Sequence, residues 1–280
     1  MLIDTHSHLN FKAYDSDREE VIKRTLEAGI VCINVGTKYE TSKKAIKLAE
    51  KYEGIFAAVG MHPFHIKTDL LKLKTDENEG AFIPFGEDFD KEKYKELAKS
   101  KKVVAIGEVG LDYYYKPKGT AKKELFKQKQ REVFIQQLEL AEELNLPVII
   151  HSRMAHQDLY EILKTRNIRG VVHCFTGNSE ELKQFLDLGF YIGFNGIIFK
   201  LDLSGAVKSC PLDKILIETD CPYLTPPQAG PKEARNEPIF VKYVVQKIAD
   251  LKGLSFEEIS EATTANAIRL FKFDQSRLAG

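Results

Sequence analysis

Apolar and polar positions along this chain follow two periods in turn. Compact apolar runs bounded by glycine, proline or charge recur at Ile30–Val35, Ile55–Val59, 103–106, 147–150, Gly170–Val172, 190–194 and 214–218, and Leu2 and Ile3 open another. Short continuous runs predict strands buried on both faces, the habit of parallel sheets. Between them lie stretches with apolar residues three and four apart. They include 17–28 with Val21, Ile22 and Leu26, 39–52 with Ala45, Ile46, Leu48 and Ala49, and 121–144 with Phe126, Val133, Phe134, Leu138 and Ala141. This spacing predicts helices. Shorter helices are expected at 91–100, up to about 166, and at 179–188, 203–209, 238–251 and 255–271. Ser16 or Asp17 supplies an N-cap for the first helix and Gly29 ends it.

Strand followed by helical material, eight times over, predicts a parallel sheet. In 280 residues its natural closure is a (β/α)8 TIM-type barrel, with residues 1–280 forming one domain. An open doubly wound sheet is the alternative, weakened because no Gly-x-Gly-x-x-Gly follows the first strand. The rhythm breaks at 67–102, which holds the acidic, glycine-containing runs 75–80 and 86–90. That interval reads as a long loop or small hairpin on the barrel rim, either a lid or decoration.

Composition narrows the function. Lys+Arg and Asp+Glu are both 41, so no global basic field attracts a nucleic acid and any polyanion must be held locally. No apolar run approaches the roughly 20 residues that span a bilayer. Cys32, Cys174, Cys210 and Cys221 form no Cys-x-x-Cys pair, which suits a reducing compartment; a cytoplasmic location is expected.

The chemistry gathers where the strands end. His6 and His8 follow the first strand, His62 the third, Glu108 the fourth, His151 the fifth, His173 the sixth and Asp220 the eighth. Five of the seven histidines thus fall at strand termini, which converge on one face of a barrel. On an extended strand His6 and His8 share a side, with Asp4 placed to orient a ring. Six metal ligands are predicted: His6, His8, Glu108, His151, His173 and Asp220. They exceed what one open catalytic ion needs, so two ions are expected, with Glu108 bridging at the roughly 3.5–4 Å of two-metal sites. Asp220 is also placed to take the proton of the attacking water.

These residues sit in Asp4-Thr-His6-Ser-His8, Gly60-Met-His62-Pro63, Gly107-Glu108-Val-Gly-Leu-Asp112, Ile149-Ile-His151-Ser-Arg153, His173-Cys-Phe-Thr-Gly177, Glu218-Thr-Asp220-Cys-Pro222 and Arg235-Asn-Glu-Pro238. In order and content the set resembles the TatD family of metal-dependent hydrolases, within the amidohydrolase-like barrels. The resemblance implies a TIM-type barrel, two divalent ions and DNase activity, often 3′ to 5′ on single-stranded ends. It assigns His6, His8, Glu108 and Asp220 to one ion, Glu108, His151 and His173 to the other, and His62 to the neighbourhood of the substrate phosphate. Glu108, Asp220 and His62 are the expected catalytic groups. Two features depart from the family pattern: Met154 stands where an acidic residue is usual, and the insertion around 70–90 is long.

Arg153 and Arg235 are candidate phosphate clamps, or else surface ion-pair partners. Tyr113, its neighbours Tyr114 and Tyr115, and Tyr223 either stack unpaired bases or pack against helices. Asp112 is read as fixing its loop, while His65 and His156 have no assigned role. A DNA phosphodiesterase is therefore expected. An acyl hydrolase acting on aminoacyl-tRNA or an acetylated substrate is the alternative, and a catalytically idle scaffold the third reading. Mixed imidazole and carboxylate ligands suit Zn²⁺, Mn²⁺ and, less well, Mg²⁺.

Overall fold

The computed structural model describes residues 1–71, 76–80, 86–231 and 234–273. Eight parallel strands run in sequential order: β1 Leu2–Ser7, β2 Ile30–Val35, β3 Ile55–Val59, β4 Val103–Asp112, β5 Val148–Arg153, β6 Gly170–Val172, β7 Tyr191–Phe194 and β8 Ile215–Ile217. The seam between β8 and β1 is closed by the Asp220 N–H donating to His6 O (2.8 Å) and the His8 N–H donating to Cys221 O (2.9 Å). Helices α1 Arg18–Glu27, α2 Tyr39–Lys51, α3 Lys91–Leu97, α4 Thr120–Leu144, α5 His156–Leu163, α6 Ser179–Asp187, α7 Ser204–Ser209, α8 Val241–Lys252 and α9 Phe256–Phe271 surround it. The molecule is a (β/α)8 barrel.

Alternate strand residues divide between two cores. Leu2, Ile30, Cys32, Ile55, Val59, Val148 and Ile215 pack outward with the helices. Ile3, Val31, Ile33, Phe56, Ile149, Val171 and Leu216 pack with Leu270 and Phe271 of α9 and with Phe273, so the end of α9 plugs the barrel where the strands begin. With that end filled by hydrocarbon, polar side chains collect at the other.

The fourth strand is longer than the apolar pattern suggests. The expected strand stops at Ile106, yet β4 continues to Asp112, and the pairs Gly110↔His151 and Asp112↔Arg153 run alongside β5. The glycines permit close approach: a Cβ on Gly107 would lie 2.7 Å from the Ile149 Cβ, and Gly110 has φ +143°. The register shifts between Ile106 and Val109, and this irregularity falls at Glu108. Asp17 precedes α1 but its carboxylate makes no cap, because Arg235 holds it. The expected hairpin in the 67–102 insertion lies partly outside the described residues. In the described part, 76–80 lies against the loop after β1, with the Ala13 N–H donating to Asn78 O and the Lys12 N–H to Glu79 O.

Candidate functional site

Glu108 is the centre of the constellation. Its Oε2 faces His6 Nε2 at 3.4 Å and His8 Nε2 at 3.9 Å, while its Oε1 lies 3.0 Å from both His151 Nδ1 and His173 Nε2. Asp220 Oδ1 closes the first side, 3.4 Å from His8 Nε2 and 3.8 Å from His6 Nε2. Asp220 holds φ +55°, a strained backbone that its N–H bond to His6 O helps fix. All six sequence-predicted ligands therefore meet, although they come from β1, β4, β5 and the loops after β1, β6 and β8. Two overlapping groups, His6 with His8 and Glu108, and Glu108 with His151 and His173, could each hold an ion.

The donor set fits a metal on local evidence. His8 Nδ1 donates to Val35 O (2.9 Å), so the neutral ring keeps its lone pair on Nε2, toward the cluster. His151 likewise presents Nε2 to Asp112 Oδ2 (3.2 Å) and Nδ1 to Glu108; His173 presents Nδ1 to Glu218 Oε1 (3.4 Å) and Nε2 to Glu108. His173 Nε2 is close to Glu108 but out of line for a hydrogen bond, and His6 Nδ1 is buried without a partner. Burial favours neutral imidazoles, yet Asp220 and Glu108 hold His8 above its usual range, Asp112 and Glu108 hold His151 above it, and Glu108 and Glu218 hold His173 well above it. Burial would also protonate Glu108, but the surrounding imidazoles hold it well below the carboxylate range. A pocket that draws protons onto its nitrogens is one where a divalent cation can displace them.

His62 plays a different part. Its Nδ1 accepts from the Phe64 N–H (3.0 Å), so the neutral ring carries its proton on Nε2, 3.5 Å from Glu108 Oε1. Burial lowers its pKa to about 3, which keeps it neutral. His62 thus presents a hydrogen-bond donor to the site. His65, unassigned from sequence, donates from Nε2 to Glu79 Oε2 (2.8 Å), and the Thr37 hydroxyl donates to Glu79 Oε1 (2.5 Å) beside Lys38 Nζ (3.1 Å). Burial raises the Glu79 carboxyl, but these partners outweigh it and hold the group at about 2. His156 stays apart, packed on Phe175 and Phe185 and 3.5 Å from Glu181.

The cluster forms the floor of a cavity of about 780 Å³ whose lining includes His62, Arg153 and Tyr223. Tyr223 donates its hydroxyl to Asp76 Oδ2 (2.7 Å). Two expected substrate residues are elsewhere. Arg235 makes a two-pronged pair with Asp17 (2.7 and 2.6 Å), donates to Ala13 O and Glu237, and lies over the Tyr14 ring. Its fork is spent on the α1 side, so it is not placed as a phosphate clamp. Tyr113 is buried, with its hydroxyl donating to Asp158 Oδ2 (2.8 Å), and does not line the cavity. Asp4 orients no imidazole: it accepts from the Thr219 N–H (2.9 Å) and hydroxyl (2.6 Å) and from the His6 N–H (3.2 Å), tying β1 to the end of β8.

Sequence reasoning missed several supports. Glu218, fully buried, accepts from the Cys174 N–H (2.6 Å) and Asn195 Nδ2 (3.0 Å) while facing His173. Gln130 and Gln137, two turns apart on α4, clip the backbone of Asp112 and Met61 through paired N–H and C=O contacts. The available signal was two amides in the apolar stripe of that helix.

Comparison with known proteins gives consistent matches over the chain's length. A family model described as TatD related DNase matches residues 3–272. The uncharacterized metal-dependent hydrolase YabD of Bacillus subtilis is 42% identical, covering 98% of this chain and 100% of its own. A Cronobacter sakazakii protein named 3′-5′ ssDNA/RNA exonuclease TatD is 32% identical, covering 96% and 97%. The crystal structure of YJJV, a TatD homolog from Escherichia coli K12, superposes with a TM-score of 0.79 at 29% identity, covering 97% and 98%.

Proposed function

On the premise that this chain belongs to the TatD-related DNase family of metal-dependent hydrolases, we propose that it hydrolyses phosphodiester bonds at single-stranded DNA ends in the 3′ to 5′ direction, using two divalent ions. The observation that carries this reading is the division of Glu108, one oxygen toward His6 and His8 and the other toward His151 and His173. His6, His8, Glu108 and Asp220 would hold one ion, and Glu108, His151 and His173 the other. When bound, divalent cations neutralise phosphate charge and make water more acidic.

The chain's own groups supply the remainder. Asp220, partly exposed to the cavity, is positioned to take the proton of the attacking water. The His62 Nε2–H is a neutral donor for a phosphate oxygen. Arg153 lines the cavity and, among the described residues, no carboxylate pairs with it, leaving its fork for phosphate. A nucleic acid reading also draws on the exonuclease name of the Cronobacter sakazakii relative. The proposed compartment is the reducing cytoplasm, supported by four free cysteines; among the described residues no helix is long and apolar enough to cross a membrane.

The test is incubation of the purified protein with end-labelled single-stranded DNA and Mg²⁺, Mn²⁺ or Zn²⁺, beside p-nitrophenyl esters. Stepwise shortening from the 3′ end that EDTA stops is the expected result. Ester hydrolysis with intact DNA would overturn the reading.

A further inference from the structure

The mouth of the cavity carries an aromatic rim that the metal chemistry does not use. Six large apolar side chains are exposed among the described residues; Tyr115 and Leu201 line the cavity, and Tyr114 and Met154 adjoin Arg153. Exposed rings gathered at one edge of a polar pocket mark a contact surface more often than scattered apolar side chains do.

The rim is ordered by specific contacts. The Arg153 guanidinium lies over the Tyr114 ring, its Cζ 3.7 Å from the centroid. Tyr114 meets Tyr115 edge-on at 4.9 Å, and Tyr115 meets Phe64 at 5.8 Å. The loop is tied to the metal cluster through one carboxylate: Asp112 Oδ1 accepts the Tyr114 N–H (2.8 Å) while Oδ2 faces His151 (3.2 Å). Arg153 is two residues beyond His151 on β5, about 6.6 Å along the strand. A base joined to a phosphate at the cluster therefore reaches this rim.

We propose that Arg153, Tyr114 and Tyr115 form a stacking ledge for the nucleobase of the nucleotide flanking the scissile phosphate. The inference rests on the nuclease reading and gives it a physical basis for strand preference. A guanidinium backed by one ring is itself a planar cation that can meet a second π-system, and Tyr115 lies beside it, its ring centroid 5.7 Å from the Arg153 Cζ. In a duplex the bases are already stacked and paired, so only an unpaired end can occupy the ledge without breaking other contacts. A nucleobase suits this rim because the rim continues into the cavity and combines a cation with rings.

The experiment measures binding of a phosphorothioate-linked oligothymidylate, and of the same backbone without bases, to the metal-loaded protein. Both strands offer equal phosphate charge, so their ratio isolates the base. The chain has 11 tyrosines and no tryptophan, so tyrosine fluorescence is its intrinsic signal. The base-bearing strand is expected to bind about tenfold more tightly, in the range for stacking a base on an aromatic ring, and to quench that signal. Tyr114→Ala and Arg153→Lys should erase the ratio with metal content unchanged, and Tyr114→Phe should preserve it. Equal wild-type affinity for the two strands, or a Tyr114→Ala protein that keeps the ratio, overturns the ledge. Wild-type protein that cleaves no labelled DNA and binds neither strand overturns the nuclease reading and the ledge with it.

Discussion

The two ends of the barrel use the same strands for opposite purposes. Where the strands begin, Ile3, Val31 and Leu216 meet Leu270 and Phe271 of α9 in an apolar plug. Where they end, His6, Glu108, His151 and Asp220 crowd donors and acceptors into a few ångströms. Apolar burial at the first end stabilises the fold, and the second concentrates groups whose burial is unfavourable without a cation or a partner. Stability and chemistry are thus separated along one axis, and mutations at the two ends should separate in the same way.

The sharpest break in that comparison is Glu108→Gln. Because the carboxylate serves both imidazole pairs, its loss should cut DNA hydrolysis by more than about 100-fold, beyond the range for supporting residues, and lower metal content. Metal analysis beside the labelled-DNA assay checks it. At the opposite end, Leu270→Ala should lower stability by about 2–5 kcal/mol in chemical denaturation, with turnover and metal content as in the parent. An equal loss of activity and stability in Leu270→Ala would remove the separation of roles.

The rim has an acid-sensitive clasp of its own. Glu79 is held at about 2 in the folded protein against 4.5 ordinarily. A depressed carboxylate contributes stability that is complete above about pH 4.5 and lost as pH falls toward 2. The contribution is on the order of 3 kcal/mol. Glu79→Gln should therefore be less stable than the parent at neutral pH, and the gap should close on acidification. A constant gap from pH 6 to 2.5 would remove Glu79 as the titrating group. The smallest effect is expected for Glu218→Gln, which keeps the shape beneath His173 but loses the charge: about 10–100-fold weaker metal binding by titration calorimetry, with little change in thermal midpoint.

Much of this was legible in sequence because the signals are local. Ile30–Val35, Ile55–Val59 and Gly170–Val172 are strands with the bounds their apolar runs suggest. His6, His8, His151 and His173 stand out because a strand end is readable from the run before it, and closure of eight such strands leaves their ends one place to meet. Met154 illustrates the limit: it departs from the family pattern in sequence, and only the structure puts it exposed at φ +57° beside Arg153.

By itself, then, the sequence determined the alternation of elements, the barrel they build and the six side chains gathered at its mouth, since each depends on periodicity within a few residues. Tertiary structure alone decided how charges and rings are spent. Arg235 finds Asp17 at a sequence separation of 218 residues, Tyr113 finds Asp158, and Glu218 rather than Asp4 supports an imidazole. An ion pair or hydrogen bond is chosen by distance in space and by the desolvation of both partners, and neither quantity is written in the spacing of residues along the chain.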